Sequence, residues 1–427
     1  MNEMQNPLEI AKKLGESIGG ELGRMAFEEL ELSVVNSFLP RFTNNPLIRM
    51  RQHILLYWPQ SYHKSTILNE FVKCIPDEIN VAGITSNTPE TLFGTINDQN
   101  QIIYPLFANV QIATITELAT FVNSRNSADI VNMMNKVLEG ERAERQLLKL
   151  GRRELTPEEY EKAQQHGVLY DAENSQLIHK PDVTIFAGSR PLDNRTYTYL
   201  LTSGYLYRHH VLQKEITDEE AKAYLKKTYN PETSLYKTLK DLNKKIKNAK
   251  IKSIETPSQA VTCELIDTLF DVVQDYFPNK KANFATIVDI RTKGDMYREM
   301  AAHAVIRTLT ENDFKDVEKI EYTQADIDYI KDNILHFVEA KLNPLFTLDY
   351  SKPALKHQRP IDQIQALILE FLGDGKEHSR REIDAYITPR NQACTATISN
   401  ALKKLVNKGE VTTRFGYYQK KGERDCP

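Results

Sequence analysis

The chain has 427 residues, 41% of them hydrophobic and 26% charged, with a formal net charge of −3. That mix excludes a disordered chain and a general polycation, and the length exceeds one ordinary domain, so two to four are expected. The four cysteines (Cys74, Cys263, Cys394, Cys426) show no CxxC spacing. Such spacing argues against a zinc module and against a disulfide framework. No stretch has the apolar length of a signal segment or a membrane span, so the expectation is a cytoplasmic protein with no membrane partner.

In chain order, residues 1–45 read as N-terminal helices: Leu22, Met25, Ala26, Leu30, Val35 and Phe38 recur near helical spacing, and Pro40 ends the run. Residues 46–217 alternate short apolar runs with helical patterns, which predicts an α/β core on a parallel sheet. Residues 218–343 read as helical. Residues 344–360 carry Pro344, Pro353 and Pro360 and read as a linker. Residues 361–427 form the last region.

Within the α/β core, His53 to Tyr57 reads as a buried strand running into Trp58-Pro59-Gln60-Ser61-Tyr62-His63-Lys64-Ser65-Thr66 and then a helix. Strand, loop, Lys-Ser-Thr and helix is the layout of a P-loop, in which backbone N–H groups cradle phosphates, the lysine reaches the outer phosphates and the serine holds Mg²⁺. Here Trp58 and His63 stand where that loop wants glycine, and Ser61 occupies a third position that is often glycine. Glycine is wanted there for positive φ and close backbone approach. A second apolar run, Val110 to Ile115, ends in Thr116-Glu117, where a Walker B strand would carry Asp-Glu. A third, Asp182 to Ser189, ends like a sensor strand with Ser189 as its polar residue. Arg208, after Ser203-Gly204, is placed like an arginine finger, and Arg298 in Asp295-Met296-Tyr297-Arg298 like a sensor-2 arginine.

The last region patterns as three helices and a two-stranded hairpin. Ser379 with Glu382 makes an N-cap signature, Ile398, Leu402 and Leu405 share one helical face, and Val411 to Arg414 and Tyr417 to Lys420 alternate. This resembles a winged helix-turn-helix. Between Lys376 and Arg424 there are eleven Lys/Arg against five Asp/Glu, a one-sided charge suited to phosphates. The third helix would offer Arg390, Gln392, Thr395, Thr397, Asn400 and Lys403 to the DNA major groove, and Arg414 and Lys420 would hold the backbone from the wing. Such folds also serve as protein-docking modules, and the charge favours DNA.

The succession of these motifs resembles an AAA+ ATPase of the minichromosome maintenance (MCM) helicase clade, from about Arg49 to Tyr418. The resemblance implies an α/β AAA+ P-loop domain with a parallel sheet over residues 46–217, a helical lid over 218–343 and a C-terminal winged helix. It implies ATP and Mg²⁺ held by Lys64, Ser65, Thr66, Ser189 and Arg298, water activation by Glu117, and Arg208 acting on a neighbouring subunit of a homo-oligomeric ring, for which a hexamer is one form. A basic hairpin at Arg152 and Arg153 would grip DNA. The function it implies is an ATP-dependent replication helicase or initiator. The departures from the pattern are the three missing loop glycines, Thr116 in place of the Walker B Asp, and the absence of a large N-terminal region. They leave two alternatives open: a nucleotide-independent DNA-binding scaffold or transcription regulator with an eroded ATPase site, and an unrelated α/β protein in which Lys64-Ser65-Thr66 is coincidental. Elsewhere, the seven lysines between Lys237 and Lys252 read as a solvated helix face or a DNA-facing strip. Asp326, Asp328, Glu158, Glu159 and Glu161 read as surface charge, and adjacent His209 and His210 would point to opposite sides of a strand.

Overall fold

The computed structural model describes residues 6–84, 88–96, 102–122, 127–146, 155–171, 173–174, 176–214, 216–226, 229–276, 289–338, 360–391, 395–414 and 417–420. The chain separates into two compact units, residues 1–348 and 349–427.

The first unit is built on a five-stranded sheet. Its strands are β1 (His53–Tyr57), β2 (Val81–Gly83), β3 (Ile112–Ile115), β4 (Thr184–Ser189) and β5 (His209–Gln213), in the order β5-β1-β4-β3-β2. Every neighbouring pair is parallel, with Leu55 opposite Val211 on one side and Ala187 on the other. Side chains alternate across a strand. Leu55, Ala113, Ile185, Ala187 and Val211 therefore face one apolar cluster, and Ile54, Leu56, Ile112, Phe186 and Leu212 face another. Both faces are covered, which is why these strands read as nearly continuous apolar runs.

One face is covered by α1 (Pro7–Phe38), α2 (Lys64–Val72) and α3 (Thr233–Asn248), whose apolar stripes share a cluster with β1. The second half of α1 also joins α4 (Ile290–Glu311) in a further core. The N-terminal helix is thus part of the sheet unit's interior. It is a helical hairpin: Gly19 and Gly20 leave helical geometry, Gly20 at φ 59°. A Cβ on Gly15 would stand 2.2 Å from the Gly23 carbonyl oxygen, and one on Gly23 would stand 2.0 Å from that of Gly15. Residues eight apart in a continuous helix lie about 12 Å apart, so the chain has folded back with backbone against backbone. Gly23→Ala is expected to cost about 3 kcal/mol, the upper part of the range for overpacking, measured by urea unfolding. A cost below 1 kcal/mol would mean that the two halves can separate freely.

The region expected to be helical, 218–343, does hold helices, but it also contains a parallel strand pair, Ile251–Ser253 with Val317–Lys319. A small antiparallel sheet of Ala143–Gln146, Gln176–His179 and Val168–Asp171 stands beside the helix Pro157–Gln165. No helix among the described residues is long and apolar enough to cross a membrane.

The second unit has α5 (Pro360–Phe371), α6 (Arg380–Asn391) and α7 (Thr395–Asn407) around one apolar cluster. Its sheet is antiparallel and three-stranded, in the order His378–Ser379, Tyr417–Lys420, Val411–Arg414. The first of these strands is only two residues long and has no sequence signal. The expected cap is present: the Ser379 backbone N–H donates to Glu382 Oε2 at 2.7 Å, and Glu382 N–H donates back to Ser379 Oγ.

Candidate functional site

β1 runs straight into the loop 58–63, and α2 begins at Lys64. Within the loop Ser61 (φ 73°) and His63 (φ 55°) are left-handed. The backbone therefore takes the glycine conformation at two positions without glycine, at about 1–2 kcal/mol each. The surroundings hold it there. His63 Nδ1 lies 3.3 Å from the Ile18 carbonyl oxygen at the α1 turn. Its ring packs 5.5 Å from Tyr224 and 5.6 Å from Tyr229, and Tyr62 lies 5.0 Å from Tyr224. Trp58 has no left-handed backbone; its side chain is buried in the α1–α2 core and its indole N–H donates to Tyr62 O at 2.9 Å. The indole is an internal strut of the loop and does not line its mouth.

Lys64 is nearly enclosed, and its Nζ donates to Trp58 O and Pro59 O, each at 2.8 Å. Burial pulls the ammonium down to about 8, with the Glu117 carboxylate opposing. Ser65 and Thr66 are exposed in the first turn of α2, where backbone N–H groups have no intrahelical acceptor. Ser65 Oγ donates to Thr116 O at 3.4 Å, just beyond β3. Glu117 Oε1 accepts from Ala119 N–H at 3.2 Å and from Arg190 N–H at 3.4 Å. Ser189 is buried at the end of β4, and its hydroxyl donates to Arg190 O at 2.8 Å. A Cβ on Gly188 would stand 3.4 Å from Lys64 Cβ and 3.1 Å from Thr116 O. Lys64, Ser65, Glu117 and Ser189 thus converge beyond the carboxyl ends of β1, β3 and β4, the usual ligand crevice of an open parallel sheet. A helix N-terminus, an ammonium and hydroxyls suit a phosphate, and Glu117 is the carboxylate that stands beside them. For Mg²⁺ the set is thinner, because Thr116 supplies no carboxylate.

Two expected members are elsewhere. Arg208 immediately precedes β5, at the amino edge of the sheet; its Nε lies 2.8 Å from Glu139 Oε1 and its Nη1 donates to Gly204 O. Arg291 shares the same Glu139 oxygen at 3.0 Å. Arg298, on α4, donates to Arg49 O at 3.0 Å and to Asp295 at 2.6 Å. Arg49 precedes β1 and Lys64 follows it, so Arg298 and Lys64 are at opposite ends of one strand. Neither arginine is brought to Lys64 within this chain.

In the second unit, Asn400 and Lys403 are exposed on α7 and Lys420 on the last strand. Arg390, Thr395 and Thr397 lie on helices and Arg414 on a strand, with side chains outside the described residues, as are Gln392, Arg152 and Arg153 altogether. The lysines of α3 are largely engaged: Lys240 pairs with Asp77 at 2.6 Å, Lys244 pairs with Glu78, and Lys245 stands over the Phe314 ring. Part of this helix face is therefore laced by ion pairs.

Asp326 is a correction. It was expected at the surface and is fully buried, whereas Asp328 is exposed. Sequence reasoning also missed the Gly19–Gly20 turn that touches the loop, although a Gly-Gly pair inside a helical pattern is a turn signal. It missed the buried contact of Glu29, His210 and Glu299 too. A scan against protein-family models and a search of curated proteins each found no match for this chain.

Proposed function

We propose that the first unit is an AAA+-type nucleotide-binding domain of MCM-helicase character, taking ATP with Mg²⁺ at the Lys64 loop, and that the second unit is a winged helix that binds DNA. The observation carrying this reading is the convergence of Lys64, Ser65, Glu117 and Ser189 at the carboxyl edge of a parallel sheet. In this reading Lys64 exchanges its two loop carbonyls for phosphate oxygens and Ser65 is the Mg²⁺ ligand. Glu117, held by two backbone N–H groups, orients the attacking water. Arg208 and Arg298, at the opposite edge of the sheet, would serve a neighbour's nucleotide in a ring. The function is an ATP-dependent helicase or initiator acting on DNA.

The test is binding of labelled ATP with Mg²⁺, with and without DNA, followed by phosphate release. Lys64→Ala is expected to weaken binding roughly 10- to 100-fold, the weight of one charge-assisted hydrogen bond of about 1.5–3 kcal/mol. Glu117→Gln should leave binding intact and lower phosphate release by about 100-fold or more. No binding at millimolar ATP, with DNA binding retained, would favour the second reading, a DNA-binding scaffold or regulator. Thr116 and the self-bonded Lys64 favour that second reading. For DNA, Lys403→Ala and Lys420→Ala are each expected to reduce the salt slope of affinity by about 1 on all sequences alike. An unchanged slope in both would remove α7 and the hairpin from the interface.

A further inference from the structure

Glu29 on α1, His210 on β5 and Glu299 on α4 meet in the interior, at 4%, 2% and 0% exposure. His210 Nδ1 lies 3.3 Å from Glu299 Oε1, and His210 Nε2 lies 3.8 Å from Glu29 Oε2. One candidate ligand atom from each residue falls within 4.8 Å of the others. Three of the polar atoms here, Glu29 Oε2, Glu299 Oε2 and His210 Nε2, are buried without a hydrogen-bond partner. Among the described residues no lysine or arginine forms an ion pair with either carboxylate. Two buried carboxylates without a paired cation are costly, since each loses its hydration and the hydrogen bond from Gln52 to Glu299 replaces only part of it.

We propose that Glu29, His210 and Glu299 form a binding site for a divalent transition-metal ion, Zn²⁺ or Mn²⁺, distinct from the Mg²⁺ expected at the Lys64 loop. Two carboxylates and one imidazole are a mixed oxygen and nitrogen set, which suits these ions better than the all-oxygen preference of Mg²⁺ or Ca²⁺. The 3.3 and 3.8 Å contacts use different ring nitrogens of His210, so one ion would take a single nitrogen. One ligand atom from each residue lies within 4.8 Å of the others, a spread that closes on an ion through small side-chain shifts toward bonds of about 2.1 Å. Three protein ligands leave a fourth position for water. An outer layer already orients one ligand: Gln52 Nε2 donates to Glu299 Oε1 at 2.7 Å, and Asn36 Nδ2 donates to Gln52 Oε1 at 3.1 Å. Metal sites are commonly tuned in this way. A cavity of about 290 Å³ reaches Glu29, and its wall carries Glu28 and Glu21 paired to Lys12 and Arg24, with Asp332 and His336 beside them. The ion would join the N-terminal hairpin, the edge strand of the sheet and α4 in one place.

The experiment begins with metal analysis of the full-length protein as purified, without nucleotide, followed by thermal melts after chelator stripping and after addition of Zn²⁺, Mn²⁺ or Mg²⁺. About one equivalent of zinc or manganese is expected. The melt should fall by several degrees on stripping and recover with Zn²⁺ or Mn²⁺ but not with Mg²⁺. Glu299→Gln and Glu29→Gln keep the shape and remove the charge, so each should lose the metal and its effect on the melt. If instead the stripped wild type ignores all three ions and Glu299→Gln melts at or above wild type, the carboxyls are held by protons and the metal site is wrong. The wild-type titration decides even if both variants fail to fold, and neither result depends on whether ATP binds.

Discussion

Trp58→Gly, which installs the glycine that a phosphate loop ordinarily carries, is expected to destabilise the first unit by about 5 kcal/mol. The indole is 1% exposed among Ile54, Leu56, Ile67 and Phe71, and its N–H donates to the Tyr62 carbonyl. Removing a buried tryptophan costs about 3–5 kcal/mol, and glycine adds roughly 0.5–1 kcal/mol of backbone entropy. The lost hydrogen bond also frees the loop around Tyr62 and His63. His63→Gly is the opposite case. It relieves a left-handed residue at φ 55°, worth about 1 kcal/mol, while giving up ring contacts to Tyr224 and Tyr229, so it should be nearly neutral. Urea unfolding of both variants separates the two positions. A Trp58→Gly protein as stable as wild type would show that the loop does not depend on the indole, and a strongly destabilised His63→Gly would assign the loop's shape to the tyrosine cluster. The expected pair of results would mean that the loop positions are not equivalent: Trp58 acts as a core residue, whereas His63, like Ser61, holds the left-handed conformation that glycine ordinarily takes.

The sequence made the central sheet legible because its strands are buried on both faces. His53 to Tyr57 is the observed β1, and the runs ending at Ile115 and Ser189 contain β3 and β4. β2 has only Val81, Ala82 and Gly83 and no periodic signal, and it exists through pairing with β3. The convergence of Lys64, Glu117 and Ser189 could be expected because each ends or follows a strand of one parallel sheet, which fixes their edge. Arg208 and Arg298 could be placed in order but not in space: chain order does not say which end of the sheet an arginine reaches. The contact of Glu29, His210 and Glu299 was beyond reach for a similar reason. Each residue sits in an ordinary helix or strand pattern, and only the packing of α1, β5 and α4 brings them together. Asp326 was misread because a buried acid in a polar helical stretch looks like a solvated one until its partners arrive from another helix.

Those partners define the second large effect. Asp326 opens the helix Gln324–Asp332, and its Oδ2 accepts from the Thr323 N–H at 2.7 Å. From α4, His303 Nδ1 lies 2.8 Å from Oδ1, and Arg307 donates to both oxygens at 3.2 and 3.0 Å. Burial pushes this carboxyl up, but the His303, Arg307 and Thr323 interactions outweigh it and hold it at about 2. The folded value therefore lies below the unfolded one of 3.8. The stabilisation is fully present above pH 4 and is lost as the pH falls toward 2. A difference of nearly two pH units is worth roughly 2 kcal/mol. Asp326→Asn keeps the volume but removes the charge opposite Arg307, which retains Glu311 and the Glu321 carbonyl, so at pH 7 it should cost about 3 kcal/mol, near the lower end for breaking a buried pair. The measurement is urea unfolding of wild type and variant between pH 7 and pH 3. The gap should hold steady down to pH 5 and narrow below pH 4, where the unfolded chain takes up the Asp326 proton that the folded carboxyl, held at about 2, still resists. A gap that stays constant to pH 3 would mean that the loss is one of packing and capping alone, and that the link between this helix and α4 is not carried by charge.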